Sequence, residues 1–402
     1  MSLQRIAIII GTRPEAIKMA PVIQALKKRS NEIEVVVIVT GQHRQMLDQV
    51  LTLFQISPDV DLDLMRQNQT LVDLTSGVLT TIAGVLEEVR PNILLVQGDT
   101  TTVFAASVAA FYLKIPVGHV EAGLRSHDAY NPFPEEINRR LTTVLADIHF
   151  APTAGSRAEL LHEGVPEKKI VVTGNTVVDA LSTILANPFD FENTPLAGIP
   201  FDGHRILLVT SHRRESWGHE LENICLALRD LVERFKDLLV VYPVHMNPNV
   251  RKTVMTILAG VDRIYLTEPL DYLTFLNLMR RSHLILTDSG GVQEEAPTLG
   301  KPLLVLRKLT ERPEAFQAGM SKVVGTSHDS IIREASRLLD DQVAYNAMAS
   351  GHNPFGDGHA AERIAEVLCR RFREQYPLLE AEQEFRPALN ALYRSRIGFL
   401  GV

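Results

Sequence analysis

Short apolar runs alternate with longer helical stretches along the first half of the chain. Apolar residues recur with helical spacing in the stretches 16–29 and 71–89. The apolar runs that we expect to form buried strands are 6–10, 35–40, 93–97, 116–120, 148–151 and 170–173. This alternation is typical of βαβ units, so we predict an α/β fold with a doubly wound, Rossmann-like parallel sheet of about six strands.

A second series of strands and helices follows an irregular segment. Residues 187–200 are rich in Pro, Gly and Asn and lack periodicity, which is typical of a linker. The strands predicted beyond it are 206–210, 238–243, 263–266, 284–287 and 303–306. We therefore expect an N-terminal domain at 1–186 and a second Rossmann-like domain, which binds the nucleotide, at 187–365. The pattern leaves a C-terminal helix and tail at 366–402 unplaced, with packing back on the first domain as one option.

Composition narrows the class of protein. The chain has 402 residues, of which 45% are hydrophobic and 22% charged, close to the average for globular proteins. The formal net charge of −7 argues against non-specific binding of nucleic acid or anionic membranes. Because no long apolar segment or signal-peptide pattern is present, we predict a cytoplasmic protein. Cys225 and Cys369 lack CxxC or Cys/His spacing, which predicts buried, reduced thiols and no metal site.

Two basic residues flank the turn after the first predicted strand. Gly11 permits a tight turn, Pro14 suits the first helical position, and Arg13 and Lys18 lie near the positive end of that helix. This combination favours binding of a phosphate group. The segment fits neither the GxGxxG pattern nor the P-loop pattern, so it does not predict a dinucleotide or a magnesium-bound triphosphate.

Two carboxylates follow central strands of the same predicted sheet. Asp99 comes after the strand at 93–97, and Glu121 after the strand at 116–120. Because adjacent parallel strands end at one edge of a sheet, we expect both side chains in one cleft. Their repulsion and burial there would raise one pKa towards the working pH, as acid–base catalysis requires. In the alternative interpretation, Asp99 caps the following helix and Glu121 pairs with Arg125.

A third acidic segment begins another predicted helix. It contains Glu135 and Glu136, with Arg139 one turn beyond Glu135 on the same face. Acidic first turns are common in helices, and the spacing alone does not decide whether this segment reaches the same cleft. A role for Glu135 in proton transfer depends on that placement.

Polar residues also follow strands of the second domain. His212 lies after the strand at 206–210, where it can shuttle protons or bind an anion, and His245 is the competing histidine. After the strand at 284–287, the residues Ser289, Gly290 and Gly291 open a helix.

The free N–H groups of that helix start form an anion site, and Glu295 one turn further can accept hydrogen bonds from two ribose hydroxyls. Arg312 adds a further anion contact. A phosphate site beside a ribose site indicates a nucleotide. Since clefts form at domain interfaces and parallel sheets bind ligands at the carboxyl ends of their strands, we expect both domains to face a central cleft.

A series of motifs runs through both halves of the chain. They are GTRPEAIKMAP, QGDTTT, GHVEAGLRS, NPFPEEINRR, TSHRRESWG, YPVHMNPNV, DSGGVQEEAPTLGKP and LTERPEA. In this order and spacing the series closely resembles the non-hydrolysing UDP-N-acetylglucosamine 2-epimerases, over about residues 5–365. The resemblance implies a glycosyltransferase-B-like fold, a homodimer and no cofactor. It also implies reversible conversion of UDP-N-acetylglucosamine to UDP-N-acetylmannosamine, which feeds surface polysaccharide synthesis.

The resemblance also implies a role for particular residues. In the family, a base removes the C2 proton, UDP leaves C1 to give 2-acetamidoglucal, and UDP re-adds while a proton reaches the other face. The residues implied in this proton transfer and elimination are Asp99, Glu121, Glu135 and His212. Those implied in binding UDP and the sugar are Arg13, Lys18, Arg139, Phe275, Ser289, Gly290, Gly291, Glu295 and Arg312. The resemblance leaves open which carboxylate acts on each face of C2.

Some members of the family bind a second UDP-N-acetylglucosamine as an activator. The residues that match this site are Gln42, Gln45, Glu135, Arg213 and His245. Asn68 stands where the pattern has a further arginine, so this sequence departs from the activator site at one position.

Three other functions fit parts of the same pattern. A retaining UDP-sugar glycosyltransferase of the same fold would form product only when an acceptor is present. A hydrolysing 2-epimerase would release free N-acetylmannosamine. A catalytically silent nucleotide-sugar sensor would keep the phosphate site but lose the proton-transfer groups, and all four candidates are present here.

Overall fold

The structure of the protein is a computed structural model that describes residues 3–41, 44–64, 69–213, 216–308, 310 and 312–387, without the side chains of 44–46. The described residues form two compact units. The first contains residues within Met1–Ser182 and Phe355–Arg386, and the second contains residues within Thr183–Pro354.

A parallel sheet forms the centre of the first unit. Its strands in the described part of the chain are β1 (Gln4–Ile10), β2 (Ile33–Val39), β3 (Val60–Asp61), β4 (Ile93–Gln97), β5 (Val117–Val120), β6 (Ile148–Ala151) and β7 (Ile170–Val172). Their order is β3-β2-β1-β4-β5-β6-β7, with all neighbouring pairs parallel. Residues 6–10 are fully buried, as expected for a strand that helices cover on both faces.

Helices connect these strands. They are α1 (Arg13–Lys27), α2 (Arg44–Leu53), α3 (Leu71–Val89), α4 (Thr101–Tyr112), α5 (Glu135–Leu145), α6 (Ala154–His162) and α7 (Thr176–Ile184). Threonine hydroxyls cap the starts of three of these helices, α3, α4 and α6, and in α6 Thr153 Oγ1 accepts from the N–H of Ser156 at 3.1 Å. Thr70 Oγ1 accepts from the N–H of Asp73 at 3.1 Å, and Thr100 Oγ1 from the N–H of Val103 at 3.4 Å.

The register of the central strands aligns two turns that carry candidate site residues. Gln97 at the end of β4 pairs with Val120 at the end of β5. The residues that follow, including Asp99 and Glu121, therefore leave the sheet side by side at its carboxyl edge.

The second unit is built on the same plan. Its described strands are β8 (Arg205–Thr210), β9 (Leu238–Pro243), β10 (Ile264–Thr267), β11 (Leu284–Thr287), β12 (Leu303–Val305) and β13 (Ser321–Val323). They lie parallel in the order β10-β9-β8-β11-β12-β13. Thr210 pairs with Thr287 at the ends of β8 and β11, which aligns the turn of His212 with the turn before Ser289.

Seven helices accompany this second sheet in the part of the chain that is described. They are α8 (His219–Arg234), α9 (Pro248–Leu258), α10 (Tyr272–Arg281), α11 (Gly290–Thr298), α12 (Pro313–Gln317), α13 (His328–Asp340) and α14 (Gln342–Ala349). The predicted fold class, α/β with two parallel sheets, is therefore confirmed.

The chain returns to the first unit after α14. Helix α15 (Ala360–Phe372) packs against α1, and Arg29 Nη1 lies 2.9 Å from Glu366 Oε2. The N–H groups of the first two residues of α15 donate to the carboxylate of Asp179 at 3.3 and 2.8 Å. Both the start and one face of α15 are thus held by the first unit.

The unit boundaries differ from the expected domain limits. The first domain was expected to end at residue 186, and the structure divides the chain after Ser182. The second was expected to reach residue 365, but the first unit resumes at Phe355 because the returning helix already begins at Ala360. Of the expected tail, residues 388–402 lie outside the described residues.

Both cysteines are buried, free thiols, as predicted. Burial raises the pKa of Cys225 to about 12, which keeps this thiol protonated at neutral pH. Within the described residues, no helix combines the length and the apolar character that crossing a bilayer demands.

Candidate functional site

The turn between β1 and α1 is closed by a glutamate from the helix itself. Glu15 Oε2 accepts a hydrogen bond from the N–H of Gly11 at 2.5 Å. A Cβ atom at Gly11 would lie 2.7 Å from Thr102 Oγ1, so the close approach of these turns requires glycine. Arg13 is the first residue of α1, and Lys18 lies further along the same helix.

Glu121 is held by two donors from neighbouring elements. Lys18 Nζ donates to Glu121 Oε2, and Gln97 Nε2 donates to the same oxygen at 2.9 Å. The backbone of Glu121 has φ 65°, a left-handed conformation that is uncommon outside glycine. Strained backbone of this kind persists where surrounding contacts fix it, and it concentrates at functional sites.

Asp99 pairs with an arginine from α5. Asp99 Oδ2 lies 2.5 Å from Arg139 Nη2, and the backbone carbonyl of Asp99 accepts from Asn138 Nδ2 at 3.0 Å. Arg139 also donates to the buried Glu136, at 3.2 Å. These contacts bring the first turn of α5, which begins with Glu135, to the end of β4. The spacing of the sequence had left that placement open.

The alternative structural roles considered for the carboxylates are wrong. Thr100, not Asp99, is the cap of α4. Arg125 donates to Glu163 at 2.7 and 2.6 Å, and Glu121 pairs with Lys18 instead.

Cations accompany both predicted acid–base carboxylates, which were expected to repel one another. A third carboxylate of this region, Glu15, has a raised pKa. Burial raises the pKa of Glu15 to about 7, although hydrogen bonds from Gly11, Thr100 and Thr12 oppose the shift. The sequence analysis did not single out Glu15, because a glutamate at this position of GTRPEAIKMAP is typical of the first turn of any helix.

A buried histidine was also missed. His119 on β5 is fully buried, and its Nε2 lies 2.7 Å from the carbonyl oxygen of Gly98. Burial lowers the pKa of His119 to about 4, so the ring is neutral and Nε2–H is the donor. His119 therefore supports the backbone just before Asp99.

In the second unit, an aspartate orients the candidate histidine. Asp288 follows β11 and is fully buried, and its Oδ1 lies 3.0 Å from His212 Nδ1. Asp288 Oδ2 accepts from the N–H groups of His212 at 2.7 Å and Arg213 at 2.9 Å. Burial would raise the pKa of Asp288, but the hydrogen bonds and charge of His212 outweigh it and hold the pKa below its usual value. This arrangement turns Nε2 of His212 away from Asp288.

His245 lies against His212. The two rings stack with centroids 5.6 Å apart, and His245 Nδ1 accepts from the N–H of Asn247 at 3.1 Å. Partial burial and the neighbouring His212 both lower the pKa of His245. His245 thus supports one face of the candidate catalytic ring.

The start of α11 presents an open backbone surface. Ser289 precedes the helix, and its N–H donates to Thr287 Oγ1 at 3.0 Å. The nearest atom to a Cβ built at Gly290 or Gly291 is 3.9 Å away, so no close contact within the described chain requires these glycines. Backbone N–H groups at a helix start with room in front of them are suited to bind an anion.

A carboxylate and an aromatic helix face accompany this anion site. Glu295 Oε1 accepts from the hydroxyl of Tyr272 at 2.9 Å. Phe275 lies one turn after Tyr272 on α10, so both side chains project from the same face of the helix. The sequence interpretation missed Tyr272. Arg312 is anchored through Nε to Glu294 at 2.5 Å.

Each unit thus gathers its own part of the predicted set. The first contains Arg13, Lys18, Asp99, Glu121, Glu135 and Arg139, and the second contains His212, Arg213, His245, Phe275, Ser289, Gly290, Gly291, Glu295 and Arg312. Gln42, Asn68 and the side chain of Gln45 lie outside the described part. Among the described residues, no group of three His, Cys, Asp or Glu side chains could hold a metal ion.

The two parallel-sheet α/β units have the fold of the glycosyltransferase-B-like proteins. A glycosyltransferase of kitacinnamycin is 12% identical and covers 92% of this chain and all of its own, with a TM-score of 0.61, which shows the fold alone. The profile of the UDP-N-acetylglucosamine 2-epimerase family matches residues 24–369. The chain therefore belongs to the UDP-N-acetylglucosamine 2-epimerase family.

Individual relatives agree with this assignment. A UDP-N-acetylglucosamine 2-epimerase of Yersinia pestis is 52% identical over 90% of this chain and 98% of its own length. A crystal structure of UDP-GlcNAc 2-epimerase from Neisseria meningitidis bound to UDP-GlcNAc is 49% identical. It covers 91% of this chain and 100% of its own, with a TM-score of 0.84.

Proposed function

We propose that this protein catalyses the reversible, non-hydrolytic C2 epimerisation of UDP-N-acetylglucosamine to UDP-N-acetylmannosamine. One observation carries the proposal: two carboxylates, Asp99 and Glu121, leave adjacent strand ends, and each is paired with a cation. Inversion at C2 needs a group that removes a proton and a group that returns one to the other face. Membership of the epimerase family supports this chemistry.

Most of the groups that we propose to bind UDP belong to the second unit. The N–H groups at the start of α11, with Ser289, Gly290 and Gly291, would bind the diphosphate. Glu295 would accept hydrogen bonds from the ribose hydroxyls, and Phe275 would pack against the uracil. The cations that would offset the phosphate charge are Arg13, Lys18 and Arg312.

The proposed reaction proceeds by elimination and re-addition. A carboxylate removes the C2 proton as the C1–O bond to UDP breaks, which leaves 2-acetamidoglucal and UDP. The oxygen of UDP then returns to C1 while C2 receives a proton on the other face. Asp99, Glu121 and Glu135 are the proposed pool of acid–base groups, because all three lie at the carboxyl edge of the first sheet or on the helix start bound to it.

Cations stabilise the charged form that a base must have. Lys18 stabilises the negative charge of Glu121, and Arg139 that of Asp99. We also propose that His212 assists departure of UDP through Nε2. Asp288 at Nδ1 would stabilise the imidazolium, as the aspartate of a catalytic triad does.

Isotope exchange tests the proposal directly. The protein is incubated with UDP-N-acetylglucosamine in D2O, without NAD or added metal, and the products are followed by NMR. The epimerase proposal requires deuterium at C2 of both epimers, and the absence of exchange would refute it. A retaining glycosyltransferase would instead need an acceptor, and a hydrolysing epimerase would accumulate free N-acetylmannosamine and UDP.

We further propose that the enzyme is a homodimer. An apolar stripe on α5 supports this proposal: Ile137, Leu141 and Val144 are 38%, 42% and 82% exposed and project from one side of the helix, and Phe133 just before the helix is 60% exposed. Leu141→Asp with Val144→Asp should convert a dimer to a monomer in sedimentation velocity. Val343→Asp, at a similarly exposed position on α14, is the matched control and should leave the dimer intact.

A further inference from the structure

The carboxylate of Glu15 joins two turns of the first unit. Its Oε2 accepts from the N–H groups of Gly11 at 2.5 Å and Thr12 at 3.4 Å. Its Oε1 accepts from the hydroxyl of Thr100 at 2.8 Å. One side chain therefore bridges the turn after β1 and the turn after β4, and Glu15 and Thr100 are 85 residues apart in sequence.

Each of these turns carries a residue of the proposed reaction. Arg13 directly follows Thr12, and Asp99 directly precedes Thr100. Thr100 is also the cap of α4, so its hydroxyl connects Glu15 to the start of that helix. The side chain of Glu15 is only 2% exposed, which excludes direct contact with a substrate.

We propose that Glu15 is a positioning residue for the epimerisation, which holds the turn of Asp99 against the turn of Arg13 in the reactive arrangement. The inference rests on the proposed function and adds a residue that touches neither substrate nor base. Small displacements of a reacting group have large kinetic effects, since about 1 Å can cost about a hundredfold in rate.

The bridge can persist in both protonation states of the carboxyl group. Oε2 faces two N–H donors, so a proton on Glu15 must lie on Oε1, from which it can be donated to the oxygen of Thr100. Glutamine reproduces this protonated pattern, with its oxygen towards Gly11 and its amide towards Thr100. Alanine removes the bridge, and aspartate is one methylene group too short to span it.

Steady-state kinetics of these variants test the inference. Glu15→Ala and Glu15→Asp should lower kcat for C2 exchange by about 10- to 100-fold, while KM changes by less than about threefold. Glu15→Gln should stay within about threefold of the wild type in kcat, because it keeps both hydrogen-bonding arms. Circular dichroism and Tm establish that each variant is folded.

A second pair of variants removes the bridge from its other end. Thr100→Val loses the hydroxyl and should be slowed like Glu15→Ala, whereas Thr100→Ser keeps the hydroxyl and should resemble the wild type. This pair keeps the test decisive if Glu15→Ala fails to fold.

Asp179→Ala is the matched control for loss of a buried carboxylate. Asp179 also accepts two backbone N–H groups at a helix start of the first unit, but it caps α15. Its removal should lower Tm without lowering kcat.

The inference is overturned if Glu15→Ala or Thr100→Val keeps kcat within twofold of wild type, if Glu15→Gln is as slow as Glu15→Ala, or if Asp179→Ala is equally slow. A wild-type protein without C2 exchange would refute the proposed function itself, so the two failures are distinguishable.

Discussion

The two units carry contrasting surfaces at the carboxyl ends of their sheets. In the first unit, charged side chains are tied to one another, as in the pairs Lys18–Glu121 and Arg139–Asp99. In the second, the start of α11 has two glycines whose added Cβ atoms would meet nothing nearer than 3.9 Å. The surface of the first unit therefore carries paired charges, whereas the surface of the second unit has accessible backbone at the start of α11.

This contrast indicates how the two units would divide the proposed reaction into proton transfer and diphosphate binding. A proton must be transferred along a defined direction, which requires a side chain that its neighbours hold in place. A diphosphate instead needs several N–H donors and space for its oxygens to approach the backbone. The first surface should therefore be sensitive to loss of charge, and the second to added volume.

The largest expected effect is the loss of acid–base function in the first unit. Asp99→Asn and Glu121→Gln keep the shape of each side chain but remove its proton-accepting charge. Each should lower kcat for C2 exchange by about 10²- to 10⁴-fold in the NMR assay. The affinity for UDP, measured by calorimetry, should change far less than kcat, because the backbone N–H donors proposed for the diphosphate lie in the second unit.

Glu163→Gln is the matched control for this prediction. Glu163 also pairs with a buried arginine of the first unit, Arg125. However, Glu163 lies at the end of α6 and has no proposed part in proton transfer, so the variant removes a paired charge outside the proposed site. It should keep kcat within about twofold of wild type. If Asp99→Asn and Glu121→Gln retained exchange as well as Glu163→Gln does, the division of work would be wrong.

The next largest effect is expected when side-chain volume is added at the start of α11. Gly291→Ala should fit the fold, since the added Cβ has Ser289 Oγ at 3.9 Å as its nearest neighbour. Alanine favours the helix by about 0.5–1 kcal/mol, so Tm should stay level or rise. The Kd for UDP should nevertheless increase by about tenfold or more, because the methyl group would occupy the space of the diphosphate.

Gly77→Ala provides the comparison for that variant. Gly77 lies within α3, and a Cβ there would meet nothing within 4 Å. It should show the same gain in Tm with no change in the Kd for UDP. An unchanged Kd in Gly291→Ala would contradict the proposed diphosphate site.

The fold was largely predictable from the sequence, because buried parallel strands are continuous apolar runs and turn residues separate them. Two strands were missed: β3 has two residues and β13 has three, and each contains a single apolar residue, so no apolar run marks them. The adjacency of Asp99 and Glu121 was predicted from the order of central strands, and the register supports it.

The partners of these residues were not predictable in the same way. Lys18 and Glu121 are 103 residues apart, and Arg139 and Asp99 are 40 apart. No local pattern relates such positions, because the sheet brings them together only after folding. For the same reason, the burial of Glu15 was invisible, since its sequence context matches any capped helix start.

A smaller effect is expected at the helix that closes the first unit. Asp179→Ala leaves the first N–H groups of α15 without their carboxylate and should lower the free energy of unfolding by about 1–2 kcal/mol in urea titration. Burial raises the pKa of Asp179 to about 6, above its ordinary value of 3.8. The folded state then binds a proton more tightly than the unfolded state, so stability from this group falls as pH rises from about 4 to 6.

Asp179→Asn, which does not titrate, isolates that pH dependence. The difference in unfolding free energy between wild type and Asp179→Asn should shift against the wild type as pH rises through this window. A difference that is constant between pH 4 and 7 would contradict the raised pKa.

The smallest predicted effect is activation by a second substrate molecule, which we propose involves Arg213 and His245. Arg213 Nε is buried without a hydrogen-bond partner among the described residues, and its Nη2 lies 3.9 Å from the Cβ position of Gly290. An anion beside the diphosphate site would satisfy this guanidinium. Because Asn68 replaces an arginine of the family pattern, we expect only about fivefold acceleration, at the low end of allosteric coupling.

Initial rates with UDP-N-acetylmannosamine test this activation. Small amounts of UDP-N-acetylglucosamine should raise the rate in the wild type, and Asn68→Arg should increase the ratio of activated to basal rate. Arg213→Ala should reduce that ratio to about one, since the loss of the guanidinium removes the second anion site while the α11 donors remain. A hyperbolic curve that added UDP-N-acetylglucosamine leaves unchanged would mean that the charge beside α11 serves the first nucleotide alone.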